Sequence, residues 1–280
     1  MKILRTRLEV SNAMRLERSK NKTIGLVPTM GALHNGHLRI IEKSKLYSDI
    51  TVATIYVNPT QFNNSSDLDN YPRPWQTDLR LLEVSGVDYV FLPTDGEMYP
   101  QKVELKFDFG HLETILEGKF RPGHFNGVGI IVSKLFNIIQ PDHSYFGQKD
   151  LQQLAVIRRL VKDLSYNIEL IKVPTIREQS GLAMSSRNVR LNEEERRTAS
   201  ILYTCLTYAK DELLKGQDWL VVKEKVTAIF MKEPLSNLEY FELVKSDTLE
   251  MTSDLQVEGL AICTAAYIGD VRLIDNMIIN

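Results

Sequence analysis

The sequence predicts an α/β protein, with a Rossmann-like parallel sheet in its N-terminal part and a smaller α+β domain in its C-terminal part. Two observations support this prediction. Short β-branched runs alternate with helical patterns through about the first 175 residues, which is typical of a parallel sheet. These runs are "IGLVP" at 24, "ITVATIYV" at 50, "VDYVFLP" at 87 and "IELIKVP" at 168. Near residue 176 the pattern changes to helices followed by strands, so we expect domains at residues 1–175 and 176–280.

The clearest helix of the first part is predicted at "DLQQLAVIRRLVKDL", residues 150–164. Its apolar residues recur at helical spacing and form one stripe. They are Leu151, Leu154, Ile157, Leu160, Val161 and Leu164. Arg158, Arg159 and Lys162 lie outside the stripe. The pattern therefore predicts a helix that packs against the sheet on one side.

The second part opens with "LNEEERRTASILYTCLTYAKDELL", which predicts one long amphipathic helix. Asn192 is its expected N-cap, because Glu195 follows three residues later as in a capping box. A second helix is expected from about 217 to Pro234, since proline ends helices. The runs "NLEYFELV", "LAICTAAYI" and "VRLID" then predict strands joined by short turns.

Composition excludes several classes of protein. The formal net charge is -2 and the pI about 6.3, so the chain has no strong basic field for nucleic acid or for an anionic membrane. The charged start "MKILRTRLEV" does not resemble a signal peptide, and no apolar run approaches the ~18 residues that span a bilayer. Cys205 and Cys263 are the only cysteines. We expect a soluble, cytoplasmic protein whose partners include neither nucleic acid nor membrane.

The stretch "PTMGALHNGH", residues 28–37, places His34 and His37 on a turn with Gly31 and Gly36, directly after a predicted strand. A helix is expected to begin near Gly36 or His37. Backbone N–H groups and the positive end of the helix dipole would then lie at the turn, where phosphates bind. The glycines allow a ligand close to the backbone, and the imidazoles add N–H donors. The stretch therefore favours a nucleotide triphosphate. Taken alone, an H-x-x-H pair is also consistent with ordinary surface histidines or, less often, with a metal site.

This turn resembles the "HIGH" signature that class I aminoacyl-tRNA synthetases share with related nucleotidylyltransferases, which bind ATP and react at its α-phosphate. Those enzymes carry a second, mobile phosphate-binding segment. The stretch "GLAMSSRN", residues 181–188, is similar to that segment. Its hydroxyls and guanidinium suit phosphoryl oxygens. A Ser-Ser-Arg tripeptide without the histidine turn would indicate only a solvated loop.

Further stretches make the resemblance more specific. They are "VNPTQFNNSSDLDNYPRP" from 57, "RPGHFNGV" from 121 and "YFGQKDLQQL" from 145. Together with the histidine turn and "REQSGLAMSSRN" they resemble the pantothenate synthetase family, in order and at plausible spacing over residues 24–190. The resemblance implies ATP-dependent condensation of (R)-pantoate with β-alanine to pantothenate, AMP and diphosphate, through a bound pantoyl-adenylate. It also implies a homodimer and Mg²⁺ bound with ATP.

The resemblance implies the following site residues. The expected catalytic residues are His34, His37, Lys149, Ser185, Ser186 and Arg187. The expected ATP-binding residues are Met30, Gly31, Ala32, Leu33, His34, Asn35, Gly36, His37, Gly147, Gln148, Lys149, Asp150, Ile176, Met184, Ser185, Ser186 and Arg187. Among them, Asp150 is expected to hold the ribose, and Gly147 to let the backbone approach the nucleotide.

Three further assignments follow from the family. Gln61 and Gln153 match its pantoate-binding positions, where neutral amides can bind the substrate hydroxyls. His37 is the general acid/base, although β-alanine could also lose its proton in solution. Asp78 is a candidate ligand of Mg²⁺, with a solvated helix-start aspartate as the alternative. The C-terminal domain and the loop "NNSSDLDNYPRP" are expected to act as lids that exclude water from the adenylate. His124 has no role derivable from sequence, and a structural one is expected.

Rival interpretations predict different behaviour. A nucleotidylyltransferase would stop at a stable adenylylated product and need no β-alanine. An aminoacyl-tRNA synthetase would carry a basic tRNA-binding domain, which this composition does not indicate. A non-catalytic nucleotide-binding module would show no exchange of pyrophosphate into ATP in the presence of pantoate.

Overall fold

The computed structural model describes residues 1–279, and in them a six-stranded sheet and a separate three-stranded sheet are each packed with helices. The α/β prediction is therefore confirmed. Contacts divide this described chain into two units. The N-terminal unit comprises Met1–Gly147 and Val156–Val173. The C-terminal unit comprises Gln148–Ala155 and the described residues from Pro174 onward.

The N-terminal unit is built on the parallel sheet. Its strands are β1 (Lys2–Leu4), β2 (Ile24–Val27), β3 (Ile50–Thr54), β4 (Tyr89–Phe91), β5 (His143–Gly147) and β6 (Glu169–Val173). They lie in the order β1-β4-β3-β2-β5-β6, and every pairing is parallel. The chain leaves β2 toward β3 and β4 and later returns to the other side of β2. The turn after β2 therefore lies where the strand order reverses, which is where ligands bind in such sheets.

Helices surround this sheet. They are α1 (Arg7–Arg18), α2 (Asn35–Tyr47), α3 (Ser65–Asp69), α4 (Trp75–Val84), α5 (Asp95–Met98), α6 (Leu116–Phe120), α7 (His124–Ile139) and α8 (Leu151–Asp163). The central strands β2 and β3 are buried at every residue, as expected when helices cover both faces of a parallel sheet. The predicted helix at 150–164 is confirmed as α8, and its stripe residues Leu151, Leu154, Ile157 and Leu160 are buried. Val161 is half-buried, whereas Leu164 follows the end of the helix and is exposed, so the stripe is one residue shorter than predicted.

The C-terminal unit combines helices with an antiparallel sheet. Its helices are α9 (Glu193–Ala199), α10 (Ile201–Leu214) and α11 (Trp219–Met231), and its strands are β7 (Ser236–Lys245), β8 (Leu260–Ile268) and β9 (Val271–Ile278). The strands lie in the order β7-β8-β9. Trp219 and Phe230 of α11 and Phe241 of β7 belong to its buried core. Strands β7, β8 and β9 coincide with the three predicted runs, so the predicted strands of this part are confirmed.

One detail of the prediction is wrong. The segment expected to be a single long helix is two helices that meet at Ser200. The N–H of Ser200 donates to the carbonyl of Arg197, three residues back, so the turn is tighter than an α-turn. The predicted N-cap is confirmed, because Asn192 and Glu195 form a reciprocal capping box. In residues 1–279, no helix is both long and apolar enough to cross a membrane.

Candidate active site

The histidine turn connects β2 to α2 and has an unusual backbone. Gly31 and Ala32 have φ of +81° and +50°, the left-handed region that glycine tolerates and alanine rarely adopts. Helix α2 begins at Asn35, with His34 as its N-cap, slightly earlier than the sequence indicated. The positive end of this helix therefore lies at the turn, next to both histidines.

The two histidine rings are oriented by the backbone of the same turn. The Nδ1 of His34 accepts the N–H of Gly36 at 3.1 Å, and the Nδ1 of His37 accepts the N–H of His34 at 3.3 Å. The two rings lie with their centroids 4.1 Å apart. A nitrogen that accepts a hydrogen bond carries no proton, so the ring proton of each histidine is on Nε2. Both rings therefore carry their N–H at the atom farther from the backbone.

Asp78, in the first turn of α4, binds the backbone of the histidine turn. Its Oδ2 accepts the N–H of Ala32 and its Oδ1 the N–H of Leu33, both at 2.8 Å. The residue is 1 % exposed. A Cβ added to Gly31 would lie 2.9 Å from Oδ2, so glycine also makes room for this carboxylate.

The geometry corrects one expectation for Asp78. The buried carboxylate is not the solvated aspartate of the alternative, and by binding an N–H with each oxygen it fixes the backbone of the turn. Its assignment as a metal ligand stays a prediction. In residues 1–279, no group of three or more His, Cys, Asp or Glu side chains is arranged to hold a metal ion. The protein side chains described here therefore do not form a metal centre by themselves.

Thr29 attaches the beginning of the turn to the neighbouring strand. Its hydroxyl donates to the carbonyl of Thr54, at the end of β3, at 2.6 Å, and accepts the N–H of Gly31 at 3.1 Å. The turn is thus held by side chains on both of its sides. Sequence reasoning missed Thr29, because a threonine after a strand is common and carries no signal.

A cavity of about 330 Å³ lies beside the turn. Met30, Gly31 and Asp78 line one part of it, and the ends of β3 and β4 line another. Arg73 and Trp75, in and just after the loop that was expected to close over the site, contribute to its wall. The loop therefore already lies near the turn in this structure.

Gln61, the first predicted pantoate-binding residue, is buried and its amide is oriented by neighbours. Its Oε1 accepts from Nδ2 of Asn58 at 3.1 Å, and its Nε2 lies 3.1 Å from the sulfur of Met30. Asn58 must donate through Nδ2, because its Oδ1 accepts the hydroxyl groups of Thr60 and Tyr99. The amide of Gln61 therefore presents its N–H₂ group, and not its oxygen, to the side of Met30.

His124 supports Gln61 from the backbone side. Its Nδ1 donates to the carbonyl of Gln61 at 2.7 Å, and its Nε2 accepts from Arg121 at 3.1 Å. The guanidinium is always a donor, which fixes the histidine tautomer. Gly127, one turn further along α7, lies against the same segment, since a Cβ there would be 2.2 Å from the carbonyl oxygen of Thr60. Residues of the motif "RPGHFNGV" thus contact and support the segment that contains Gln61. This is the structural role expected for His124.

Lys149 and Asp150 lie in a short 3₁₀ turn between β5 and α8, within the C-terminal unit. The Lys149 side chain is 17 % exposed, and its Nζ is 3.7 Å from Oδ1 of Asp150, which is 47 % exposed. Gln153, the second predicted pantoate-binding residue, is half-buried on the first turn of α8, whereas the neighbouring Gln152 is buried. Gly147 ends β5, so its backbone stands at the end of the sheet.

The predicted phosphate-binding loop is a small folded unit. Ile176 and Met184 are joined by a backbone hydrogen bond, and Arg177 and Ala183 form an antiparallel bridge. A 3₁₀ helix, Ser186–Arg190, follows directly. The hydroxyl of its N-cap, Ser185, accepts the N–H of Arg187 at 3.2 Å. The structure thus brings Ser185, Ser186 and Arg187 together on one turn.

Sequence reasoning missed a set of polar residues that anchor these segments of the C-terminal unit. Strand β9 is connected to the predicted phosphate-binding loop and to the turn of Lys149. The contacts are made by Arg177, Asp275 and Asn276. A motif search finds no signal for Asp275 and Asn276, because they lie in the third of the chain that contributed little to the resemblance.

Comparison with known proteins finds matches to one family along nearly the whole chain. A family model described as "Pantoate-beta-alanine ligase" matches residues 2–278. A pantothenate synthetase of Caldicellulosiruptor bescii is 48% identical over 265 residues, covering 94% of this chain and 93% of the relative. One of Fervidobacterium nodosum is 46% identical over 282 residues, covering 100% of both.

Solved structures are similar as well. A pantothenate synthetase from Thermus thermophilus has a TM-score of 0.94 and 38% identity, covering 100% of this chain and 99% of that chain. A pantoate-beta-alanine ligase from Francisella tularensis, complexed with beta-gamma ATP and beta-alanine, has a TM-score of 0.81 and 36% identity, covering 99% of this chain and 97% of that one.

Proposed function

Since the chain belongs to the pantoate–β-alanine ligase family, whose members are ligases that form an amide bond, we propose that it condenses (R)-pantoate with β-alanine and cleaves ATP to AMP and diphosphate. The proposed intermediate is pantoyl-adenylate. The observation that carries the proposal is the histidine turn, where two imidazoles at the start of α2 are oriented through Nδ1 and carry their ring proton on Nε2. The nucleotide and β-alanine bound to the Francisella tularensis relative support the choice of substrates.

The chemistry explains why a nucleotide is needed. An amine cannot displace oxide from a carboxylate, so one carboxylate oxygen must first become part of a better leaving group. In the first step a carboxylate oxygen of pantoate attacks the α-phosphorus, and the bond to pyrophosphate breaks. Negative charge grows on the α-phosphate oxygens and on pyrophosphate. Preorganised N–H donors and cations at those oxygens lower the barrier.

On the N-terminal unit, we assign this stabilisation to His34 and His37. Both rings are fixed through Nδ1, so the Nε2–H donors are held in place before the nucleotide binds. Asp78 and Thr29 hold the backbone that carries them. A donor that is already oriented needs no reorganisation in the transition state, which is the physical basis of its effect on rate.

On the C-terminal unit, the resemblance assigns phosphate contacts to Lys149, Ser185, Ser186 and Arg187. Lys149 offers a point charge, and Arg187 a planar guanidinium suited to two oxygens at once. The hydroxyl of Ser185 already caps its own helix, which fixes its oxygen near the start of the turn. Asp150 is proposed to bind the ribose, since its carboxylate is half-exposed.

Pantoate recognition is assigned to Gln61 and Gln153. Because Asn58 occupies the oxygen of Gln61, Gln61 would act as a donor to a hydroxyl oxygen of pantoate. A neutral donor can bind that hydroxyl without competing for the carboxylate that must attack phosphorus. Gln153 is half-buried and carries both a donor and an acceptor.

In the second step the amine of β-alanine attacks the acyl carbon of the adenylate, the bond to AMP breaks, and the amine loses a proton. His37 was expected to take that proton. To do so its Nε2 would have to be unprotonated, and Nδ1 would then carry the ring proton and lose its contact with the N–H of His34. The geometry therefore supports His37 as a hydrogen-bond donor more than as a base, and β-alanine that loses its proton in solution fits this role.

Mg²⁺ is proposed to enter as the ATP complex, bound by phosphate oxygens, because hard cations prefer oxygen ligands. Both carboxylate oxygens of Asp78 already bind the backbone of the turn, so we assign the ion no side chain and derive no step through it. Closure of the loop and of the C-terminal unit over the adenylate, a homodimer and a cytoplasmic location also belong to the proposal. Sedimentation of the purified chain tests the dimer.

A product assay tests the reaction. Purified chain is incubated with ATP, (R)-pantoate and β-alanine, with either acid omitted in parallel. We expect pantothenate, AMP and diphosphate only when both acids are present, and exchange of labelled pyrophosphate into ATP with pantoate alone. Formation of ADP, or an adenylylated end product that needs no β-alanine, would contradict the proposal.

A further inference from the structure

Strand β9 carries two adjacent buried polar residues whose contacts reach away from the sheet. Asp275 and Asn276 are 4 % and 2 % exposed. Buried polar groups are destabilising unless hydrogen bonds compensate for the lost water. The hydrogen-bond partners of Asp275 and Asn276 therefore indicate the role of these two residues. Their partners lie in the two segments of the C-terminal unit to which phosphate contacts are assigned.

Asn276 holds the turn of Lys149. Its Nδ2 donates to the carbonyl oxygen of Gln148 at 2.9 Å and to that of Lys149 at 2.8 Å. A carboxamide has two N–H bonds on that nitrogen, and these two contacts use both. Gln148 also reaches back with its Nε2, 3.4 Å from the Asn276 oxygen. The peptide groups on either side of the Lys149 Cα are therefore tied to β9, and they set the direction in which the lysine side chain leaves the backbone.

Asp275 holds the phosphate-binding loop through Arg177. The guanidinium contacts both carboxylate oxygens, at 2.5 and 3.0 Å, and also donates to the carbonyl of Gly181 at 3.0 Å. Its plane lies over the ring of Tyr203, 4.6 Å from the centroid. Burial raises the pKa of the Asp275 carboxyl, while Arg177 opposes that shift. Arg177 is thus held from several sides.

The contacts of Arg177 also position the rest of the phosphate-binding loop. Arg177 and Ala183 form an antiparallel bridge, and Ser185 begins the next helical turn immediately afterwards. Gly181 closes the hairpin with φ of +88°, and a Cβ there would lie 2.0 Å from the ring of Tyr203. The position of the Ser185–Arg187 turn therefore depends on where Arg177 is fixed.

We propose that Asp275 and Asn276 are positioning residues for ATP, an inference that rests on the proposed function. From neighbouring places on one strand they fix the turn of Lys149 and the loop of Ser185–Arg187 relative to each other. Both segments are short 3₁₀ turns in connections between longer elements, and such connections are mobile unless they are anchored. A small displacement of groups that contact phosphate lowers the rate strongly, so the two anchors support binding of ATP and adenylation of pantoate.

The test compares Asn276→Ala with Arg272→Gln. Arg272 lies on the same strand and pairs with Glu239 of β7, so its loss weakens the same sheet through a contact with a neighbouring element. The measurements are the KM for ATP, the pantoate-dependent exchange of pyrophosphate into ATP, the KM for β-alanine, and the thermal midpoint. For Asn276→Ala we expect a KM for ATP at least about tenfold higher and exchange about 10²-fold slower. We expect an unchanged KM for β-alanine, and exchange within about twofold of the unsubstituted chain for Arg272→Gln.

Two outcomes would overturn the inference. One is exchange by Asn276→Ala at the level of the unsubstituted chain. The other is an equal loss in both variants at equal thermal midpoints, which would indicate a general effect of the sheet. If Asn276→Ala does not fold, Arg177→Lys carries the same expectation, because it keeps the charge and loses the two-oxygen contact. Absence of exchange in the unsubstituted chain would instead contradict the proposed function.

Discussion

His34 and His37 lie with their ring centroids 4.1 Å apart at the start of α2, and the Nδ1 of each accepts a backbone N–H of the same turn. In each ring Nδ1 therefore has a structural role, and Nε2 carries the ring proton. Nδ1 satisfies helix N–H groups that would otherwise have no partner within the helix. Nε2 carries the proton that a phosphate oxygen would accept. Substitutions that keep one atom and remove the other can therefore separate stability from activity.

His34→Asn should keep the helix cap and lose the reaction. Asparagine is among the best N-cap residues, so its oxygen can replace Nδ1, but it has no counterpart of Nε2. We expect a free energy of unfolding within about 0.5 kcal/mol of the unsubstituted chain, and about 1 kcal/mol less for His34→Ala. Pyrophosphate exchange should fall by about 10²-fold or more in both variants. Urea unfolding and the exchange assay measure the two effects.

Asn192→Ala is the matched control for this pair. It removes the side chain of another capping box, at α9, and should cost about 1 kcal/mol of unfolding free energy with exchange retained. Near-normal exchange by His34→Asn would show that Nε2 of His34 does not contact the nucleotide.

Asp78→Asn should weaken the turn without changing the dependence on magnesium. The amide places an NH₂ group against the N–H of Ala32 or of Leu33, so one contact becomes repulsive. We expect a loss of about 1–3 kcal/mol in unfolding free energy and slower exchange. The Mg²⁺ concentration for half-maximal exchange should stay the same, whereas loss of a metal ligand would raise it by about tenfold or more.

Asp88→Asn provides the comparison for Asp78. Its carboxylate also accepts a backbone N–H, that of Thr51 at 2.8 Å, but away from the histidine turn. This variant should lose stability and keep exchange. A shifted magnesium midpoint in Asp78→Asn alone would support the metal-ligand hypothesis.

Gly127→Ala should impair the binding of pantoate. The new methyl group would lie 2.2 Å from the carbonyl oxygen of Thr60 and 2.7 Å from Cα of Gln61, so α7 or the Gln61 segment must move. Overpacking of this kind costs about 1–3 kcal/mol. We expect the KM for pantoate to rise by about tenfold, equivalent to about 1.4 kcal/mol, and the KM for ATP to change little. Steady-state kinetics measure both.

Gly96→Ala is the control for this substitution, since an added Cβ there meets no atom within 4 Å. It should leave both constants unchanged. If Gly127→Ala and Gly96→Ala have the same KM for pantoate, the Gln61 segment does not need the close approach of α7.

Stability should decrease in alkali because of a buried thiol. Burial raises the pKa of Cys205 from 9.0 to about 11. Between those values the unfolded chain has lost the proton while the folded chain keeps it, so the free energy of unfolding falls as the pH rises. One such group contributes a slope of at most about 1.4 kcal/mol per pH unit.

Cys205→Ala tests this contribution. The variant should be less stable at neutral pH, because it leaves a small cavity, yet its stability should fall less steeply between pH 9 and 11. Urea unfolding across that range gives the two slopes. Equal slopes would show that the thiol does not contribute.

Much of the fold was predictable because its signals are local. β-branched runs, helical stripes and a capping box depend on residues a few positions apart, and they identified the parallel sheet, α8 and the start of α9 correctly. Strand β1, only three residues long, was missed because so short a run shows no periodicity. The break at Ser200 was missed because the stripe of apolar residues continues across it.

Motif order and spacing specify the family, the α/β architecture and the residue types proposed to face the substrates. How those residues are held depends on contacts between segments that are distant along the chain. Asp78 contacts N–H groups 45 and 46 positions away, and Asn276 a carbonyl 127 positions away. Such contacts form only when the folded chain brings distant segments together and removes water from them. Their hydrogen bonds then have no competing partner, and for this reason the turn and the loop have defined positions.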